Sequence, residues 1–249
     1  MRHRLRAGFI HLCLSAAIAA LVFVPIYFIW YPDVLYESAG GRDLFLLIVS
    51  VDVTLGPLIT TVVYVPGKWG LKFDLVVIGT LQLMALAYGV SVLFESRPVN
   101  IVFVKDRFEL VSVVDLDAAE VAKAKYPEFR SFSWTGPKLA AADLPTDAAG
   151  RKKFIELAMS GVDVQSFPEY YVPYAERRAQ VLAAAMSLEK LRKDEPVSSK
   201  PVDAWLADSG KKESEVRALL LRTRFAWVVV LIDPKTAEPV KLVLGEKIE

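Results

Sequence analysis

Residues 43–66 read DLFLLIVSVDVTLGPLITTVVYVP, and this stretch decides how the chain is built. From Leu44 to Tyr64 it runs for twenty-one mostly apolar residues, with one carboxylate, Asp52, near the middle and Gly56-Pro57 one turn later. A helix rises about 1.5 Å per residue, so roughly 20 such residues span the hydrocarbon of a bilayer. A water-soluble core has little use for a segment this long and uniform, and the stretch is predicted to be a transmembrane helix. An ionisable group at that depth costs about 2.5 to 3.5 kcal/mol on insertion scales. Asp52 is therefore expected to face a protein partner rather than lipid.

Working outward, a basic start, MRHRLR, leads into an apolar run over residues 7–30, and a third run, FDLVVIGTLQLMALAYGVSVLF, fills residues 73–94. With the central span at about 44–65, three spans precede a remainder of soluble texture, so residues 1–95 form the membrane part and 96–249 a separate domain. A cleaved signal would have a shorter apolar region ending in small residues, whereas the first run continues into VFVPIYFIWY, which reads as an uncleaved anchor. Cytoplasmic loops collect lysine and arginine. Arg2, Arg4 and Arg6 precede span one and Lys68 and Lys72 separate spans two and three, while the first loop has only Arg42 beside Asp33, Glu37 and Asp43. The N-terminus and second loop are thus expected in the cytoplasm, and the C-terminal domain outside a bacterial inner membrane, in the periplasm. Trp30, Tyr31 and Tyr36 suit the outer interface, Tyr64 and Trp69 the inner one.

Counting from the inner interface, Asp52 lies about 17 to 20 Å deep, Gln82 about 14 Å, Ser15 about 12 Å and His11 about 6 Å. Gln82 is the expected partner of Asp52, His11 is too shallow for it, and Asp74 reaches the headgroups beside Lys72. Asp52, Gly56 and Thr60 stand at i, i+4 and i+8 on one stripe, where a small residue lets a neighbouring backbone approach. Pro57 removes the donor to Val53, so a kink and a freed carbonyl are expected. The stripe reads either as the seam where the three spans pack or as a docking face for another transmembrane helix, with Asp52, Gly56, Pro57, Thr60 and Gln82 as its site. Small-residue pairs, Ser15 with Ala19 and Ala85 with Gly89, fit both.

Beyond Arg97-Pro98 the pattern turns to period two. Residues 100–114 predict a hairpin about Lys105-Asp106, and FAWVVVLI at 225–232 leads through DPKTAEP into a second hairpin strand at 240–244. WVVVL is apolar on both faces and suits a central strand. Helices are expected at 117–125, 148–160, 174–193, 202–209 and 214–224, with Asp117, Asp147, Asp203 and Ser214 near their starts. Hairpins at both ends with helices between predict one α+β domain in which the ends share a sheet. Residues 126–144 and 167–174, rich in aromatics and proline, read as irregular loops, either packed on the domain or offered as contact surface.

Net charge is +1, which points to no nucleic-acid partner. The lone Cys13 excludes an intramolecular disulfide and paired-cysteine zinc sites. The only histidines are His3 and His11, so the outer part has no histidine for a triad or a metal. No phosphate loop, G-x-S-x-G or H-E-x-x-H occurs. Asp52 and Asp74 lack the G-x-G-D motif of intramembrane aspartyl proteases and differ in depth by well over about 10 Å. No enzyme, cofactor or metal is expected.

A leader ending at Gly8 before Phe9 resembles a type IV prepilin cleavage site. Prepilins, however, resemble one another in a glutamate five residues into the mature chain, where this chain has Cys13, and in having one membrane helix. The closer resemblance is to the type IV pilin accessory proteins of the TfpX/TfpZ kind. It is carried by GFIHLCLSAAIAALV, FIWYPDVLYESAGGRDLFLLIVSVDVTLGPLITTVVY, GKWGLKFDLVVIGTLQLMALAYG and RPVNIVFVKDRFELVSVVDL, with VDVTLGPL beside GLKFDL the most specific part. The resemblance implies an inner-membrane protein that assists the stability, presentation or assembly of a partner major pilin, without catalysis. On that reading the Asp52 stripe meets the pilin's N-terminal helix and its membrane-buried glutamate. Two other classes stay open: a membrane-anchored sensor or ligand-binding protein, which lacks a cytoplasmic output domain, and an ion-relay transporter subunit, which three spans could form only as a homo-oligomer.

Overall fold

The computed structural model describes residues 1–145, 150–152, 155, 159 and 163–248. The helix expected at 148–160, with Asp147 at its start, lies largely outside the described residues. Three long helices come first. The first runs Arg2–Pro25 and continues through a wider π-turn, Ile26–Trp30. The second is Gly41–Val63 and the third Leu71–Glu95. All three are long and apolar enough to cross a membrane, and at most 17% of the apolar window in any of them is buried within the protein. Their apolar side chains therefore need a nonaqueous surrounding, which is what makes the chain membrane-anchored.

The second helix packs along both others, while the first and third meet chiefly at the end next to the sheet domain. There Trp30 stacks edge-on against Phe94 at 5.0 Å, and Ile26, Tyr31 and Leu93 form a small buried core. Tyr31 is not an interface residue: it is 0% exposed and donates its hydroxyl to Leu93 O at 2.8 Å. That bond satisfies one of the carbonyls a helix leaves unpaired in its last turn. At the inner end Asp74 pairs with Lys68 at 2.6 Å, not with Lys72.

The outer domain is built on one seven-stranded mixed sheet in the order β4-β3-β1-β2-β5-β6-β7. The strands are β1 Pro98–Val104, β2 Arg107–Ser112, β3 Lys138–Ala142, β4 Tyr171–Pro173, β5 Arg217–Arg222, β6 Ala226–Ile232 and β7 Pro239–Lys247. Both expected hairpins form, β1-β2 about Lys105-Asp106 and β6-β7 through residues 233–238. They join into one sheet because β5 runs parallel to β2, with Phe108 beside Leu221 and Glu109 beside Arg222. Strand β6, an interior strand next to the β7 edge rather than at the centre of the sheet, serves two cores: Val228, Val230 and Ile232 face one, Val229 and Leu231 the other.

The segment expected as a helix at 214–224 is instead a 3-10 turn, Glu213–Glu215, followed by β5. Consecutive RALLLR buries Ala218, Leu219 and Leu221 between β2 and β6, which a one-sided helix could not do. The long helix expected at 174–193 is broken into a 3-10 turn, Tyr174–Arg177, and two short helices, Arg178–Ala184 and Leu188–Asp194. The break occurs where Met186 exchanges two backbone hydrogen bonds with Ala218 and Ser187 caps the next helix through Lys190 N. A helix spans Pro196–Ser209, starting six residues before the expected position, and Asp117 caps a single turn, Ala118–Val121. The loops read as irregular supply β3 and β4, and Phe129, Tyr171 and Tyr174 from them are core residues.

Membrane part and domain interlock through residues 31–40. Leu35 is a member of the main domain core. Ser38 O accepts from Thr223 Oγ1 at 2.8 Å and from Phe225 N at 3.1 Å, while Lys241 and Lys247 reach Asp33 and Glu37 at 2.5 and 3.1 Å. Gly40, at φ +85°, sits under the Phe225 ring with no room for a Cβ. At the other junction Arg97, 3% exposed, lies over the Phe94 ring and donates to Phe94 O and Ser133 O at 2.5 and 3.1 Å.

Candidate helix-docking groove

Of the five residues singled out from the sequence, Asp52, Gly56 and Gln82 meet in one contact between the second and third helices. Gln82 Nε2, on the third helix, donates to Asp52 Oδ1 at 2.8 Å and to Asp52 O at 3.1 Å. Gly56 is buried one turn further in, and a Cβ there would run into the Gln82 amide. The glycine is what allows the amide to lie across the second helix. Pro57 sits within that helix, its carbonyl accepting from Thr61 Oγ1 at 2.8 Å. The carbonyl that Gln82 reaches is Asp52's own and not that of Val53, the one deprived of its helical donor.

Thr60 turns to the first helix. It is 3% exposed, and its hydroxyl lies 2.6 Å from His11 Nδ1. Counting rise per residue places Thr60 about 6 Å from the inner interface, the depth of His11, so this pair was legible in the same arithmetic. Gly8 brings the first helix close enough that a Cβ would lie 3.0 Å from Pro57 O, and Gly89 seats Ile48 of the second helix against the third. Gly56 and Thr60 are thus occupied by the protein's own neighbouring spans.

Asp52 and Gln82 have a second aspect. They lie on the floor of a groove of about 620 Å³ between the second and third helices, which no first-helix residue lines. Its walls are two helical stripes, Leu44, Leu47, Val51, Leu55 and Ile59 on one side and Leu81, Ala85, Tyr88 and Val92 on the other. Leu47, Val51, Leu55, Leu81 and Tyr88 are between 45% and 73% exposed, so none of the described residues covers them. The floor is polar, and within the same contact Gln82 Oε1 is buried without a hydrogen-bond partner. Such a group in hydrocarbon is costly until a donor arrives. The wall stripes are readable from helical spacing once the spans are known, but which flank of each span is left open depends on how the three pack. Among the described residues no cluster of His, Cys, Asp or Glu has the arrangement to hold a metal.

Outside the membrane, Glu109 on β2 is a buried carboxylate, 8% exposed. Burial pushes it above the usual carboxylate range, with Arg222 and Arg107 pulling the other way. Sequence reading missed this group because its neighbour Arg222 belongs to β5, read as helix.

Three apolar helices long enough to span a membrane, followed by a mixed-sheet α+β domain fixed to their ends, define a membrane-anchored protein. The family described as fimbrial assembly protein FimB matches residues 1–37. A fimbrial assembly protein of serogroup I from Dichelobacter nodosus is 34% identical over 237 residues, covering 92% of this chain and 86% of that protein. The serogroup E1 protein of the same organism is 32% identical with the same coverage, and that of serogroups C1 and C2 is 37% identical over 118 residues, 46% of this chain and 89% of that one. The chain belongs to this family of fimbrial assembly proteins, in keeping with its resemblance to type IV pilus accessory proteins, and it acts in fimbrial assembly. No solved structure matches it.

Proposed function

We propose that the protein is an inner-membrane accessory factor that binds the type IV major pilin through the groove between its second and third spans and assists its stability, presentation or assembly. The orientation is N-terminus in the cytoplasm and sheet domain in the periplasm, supported by the basic residues at Arg2, Arg4, Arg6, Lys68 and Lys72. The role is one of binding without catalysis. The observation that carries it is the hydrogen-bonded Asp52–Gln82 pair lining the bottom of an open apolar groove. In lipid an apolar wall alone gives little net attraction, because acyl chains are equally apolar; close packing and interhelical hydrogen bonds decide association. A neutral carboxylic acid on the pilin's membrane helix would hydrogen-bond to the Asp52–Gln82 pair on the groove floor.

The test is recovery of major pilin with the tagged full-length protein from detergent-solubilised membranes. Val51→Trp, which fills the groove, and Asp52→Ala are expected to reduce recovery at least fivefold. Leu83→Trp, on the third helix and outside the groove, should leave it unchanged. Equal recovery by all four proteins, or recovery only of a second copy of this chain, overturns the reading.

A further inference from the structure

The groove does not end at the membrane surface. A second hollow, about 1340 Å³, opens between the outer ends of the second and third helices and strands β2 and β5, and Leu44, Leu47 and Val92 line both. Along this one path the lining changes character. Below Leu44 it is apolar except for Asp52 and Gln82; above, it presents three exposed carboxylates, Asp43, Asp115 and Asp163, and the buried Glu109, against two guanidinium groups, Arg222 and Arg224.

Dimensions set what fits. A helix about 10 Å wide displaces roughly 1,700 Å³ over the approximately 22 Å from Leu44 to Ile59. The membrane groove takes up about a third of that, so a helix lies sunk to part of its girth, with lipid on its other side. The upper hollow has the volume of about three turns of the same helix. The domain cannot swing away from this position independently, since residues 31–40 and Arg97 tie it to the ends of the spans.

The geometry points to a two-part site for one continuous helix, apolar for the length of the groove except for the acid that meets Asp52 and Gln82, and carrying net positive charge in the turns that emerge from the membrane. The occupant is the pilin helix, and this inference rests on the binding reading above. The acid excess of the hollow, at the level where an apolar helix first meets water, selects a helix with basic residues there over one that is acidic or neutral. The outer domain thus reads the part of the partner that membrane burial leaves unspecified.

Photocrosslinking in cells with the full chain tests it. A benzoylphenylalanine at Leu55 probes the groove, and one at Val114, which lines the hollow and is 57% exposed, probes the upper part. Both are expected to label pilin, the first within its apolar segment and the second within the basic turns that follow. Labelling from Leu55 with none from Val114 overturns the two-part site and leaves pilin binding in the groove intact. No pilin adduct from either position overturns both readings. An adduct from Val114 to a second copy of this chain, or to a pilin region remote from the helix, also overturns the two-part site. Independently, the double variant Asp115→Lys/Asp163→Lys should lower pilin recovery at least fivefold at low salt, with the difference shrinking as salt is raised; recovery equal to wild type at low salt counts against the charge selection.

Discussion

Gln82 donates twice to Asp52, yet an interhelical hydrogen bond in a membrane contributes only about 0.6 to 1.7 kcal/mol, because the separated spans also find partners. Gln82→Leu is therefore expected to leave membrane abundance of the protein close to wild type while fimbriation falls at least fivefold. Immunoblots of membranes beside counts of surface fimbriae check this; parallel loss of both would mean that the pair serves only the seam. Outside the membrane Glu109 makes a pH prediction. Its carboxyl is raised by burial, so the folded state holds that proton more tightly than the unfolded chain does. The associated stability is fully present below the unfolded value, about 4.3, and is lost as pH rises through the raised folded value. Glu109→Gln should flatten the fall in thermal midpoint above pH about 4.3. An unchanged slope would show that Arg222 and Arg107 cancel the burial. Depth arithmetic made Asp52 and Gln82 legible as a pair because rise per residue is fixed along a helix. Glu109 with Arg222 was hidden, since a parallel pairing of strands more than a hundred residues apart leaves no local signal.

Among the elements, the second helix is positioned by what holds its first residue. Gly40 combines φ +85° with the Phe225 ring in the space a side chain would take, whereas Gly67, at φ +78°, has nothing within 4 Å of its Cβ position. Both changes to alanine carry the left-handed penalty of about 1 to 2 kcal/mol. Gly40→Ala must in addition displace Phe225, which also donates its amide to Ser38. Its thermal midpoint in detergent should fall by clearly more than that of Gly67→Ala. Equal shifts would mean that the ring moves freely and the junction is loose. The three spans and both hairpins were readable because hydropathy over about 20 residues and alternation over a few are local quantities. β5 and the broken 174–193 segment were not, because helical spacing in RALLLR and in YAERRAQVLAAAMSLEKLRK is overridden by partners elsewhere: β2 and β6 for the first, Ala218 against Met186 for the second.

For the whole molecule, the division into membrane part and sheet domain was legible, but their mutual fixation was not, since Leu35 enters the domain core from the loop between the first two spans. That fixation constrains topology beyond the arginine and lysine count. With three crossings, residues 31–40 and the sheet domain must share one side of the membrane, and their ion pairs and backbone bonds require it independently. Topology therefore moves as a unit. In a Cys13→Ala background, Lys235→Cys on the β6-β7 turn should react with an impermeant maleimide in intact spheroplasts. Trp69→Cys, in a loop whose tryptophan is 97% exposed, should react only after the membrane is opened. The reverse pattern would put the domain in the cytoplasm and remove it from any periplasmic part of a fimbrial subunit. Reaction of both sites from outside would require neither the second nor the third helix to cross. The groove walls of the second and third helices would then no longer lie side by side in lipid, and neither half of the site could take a membrane helix.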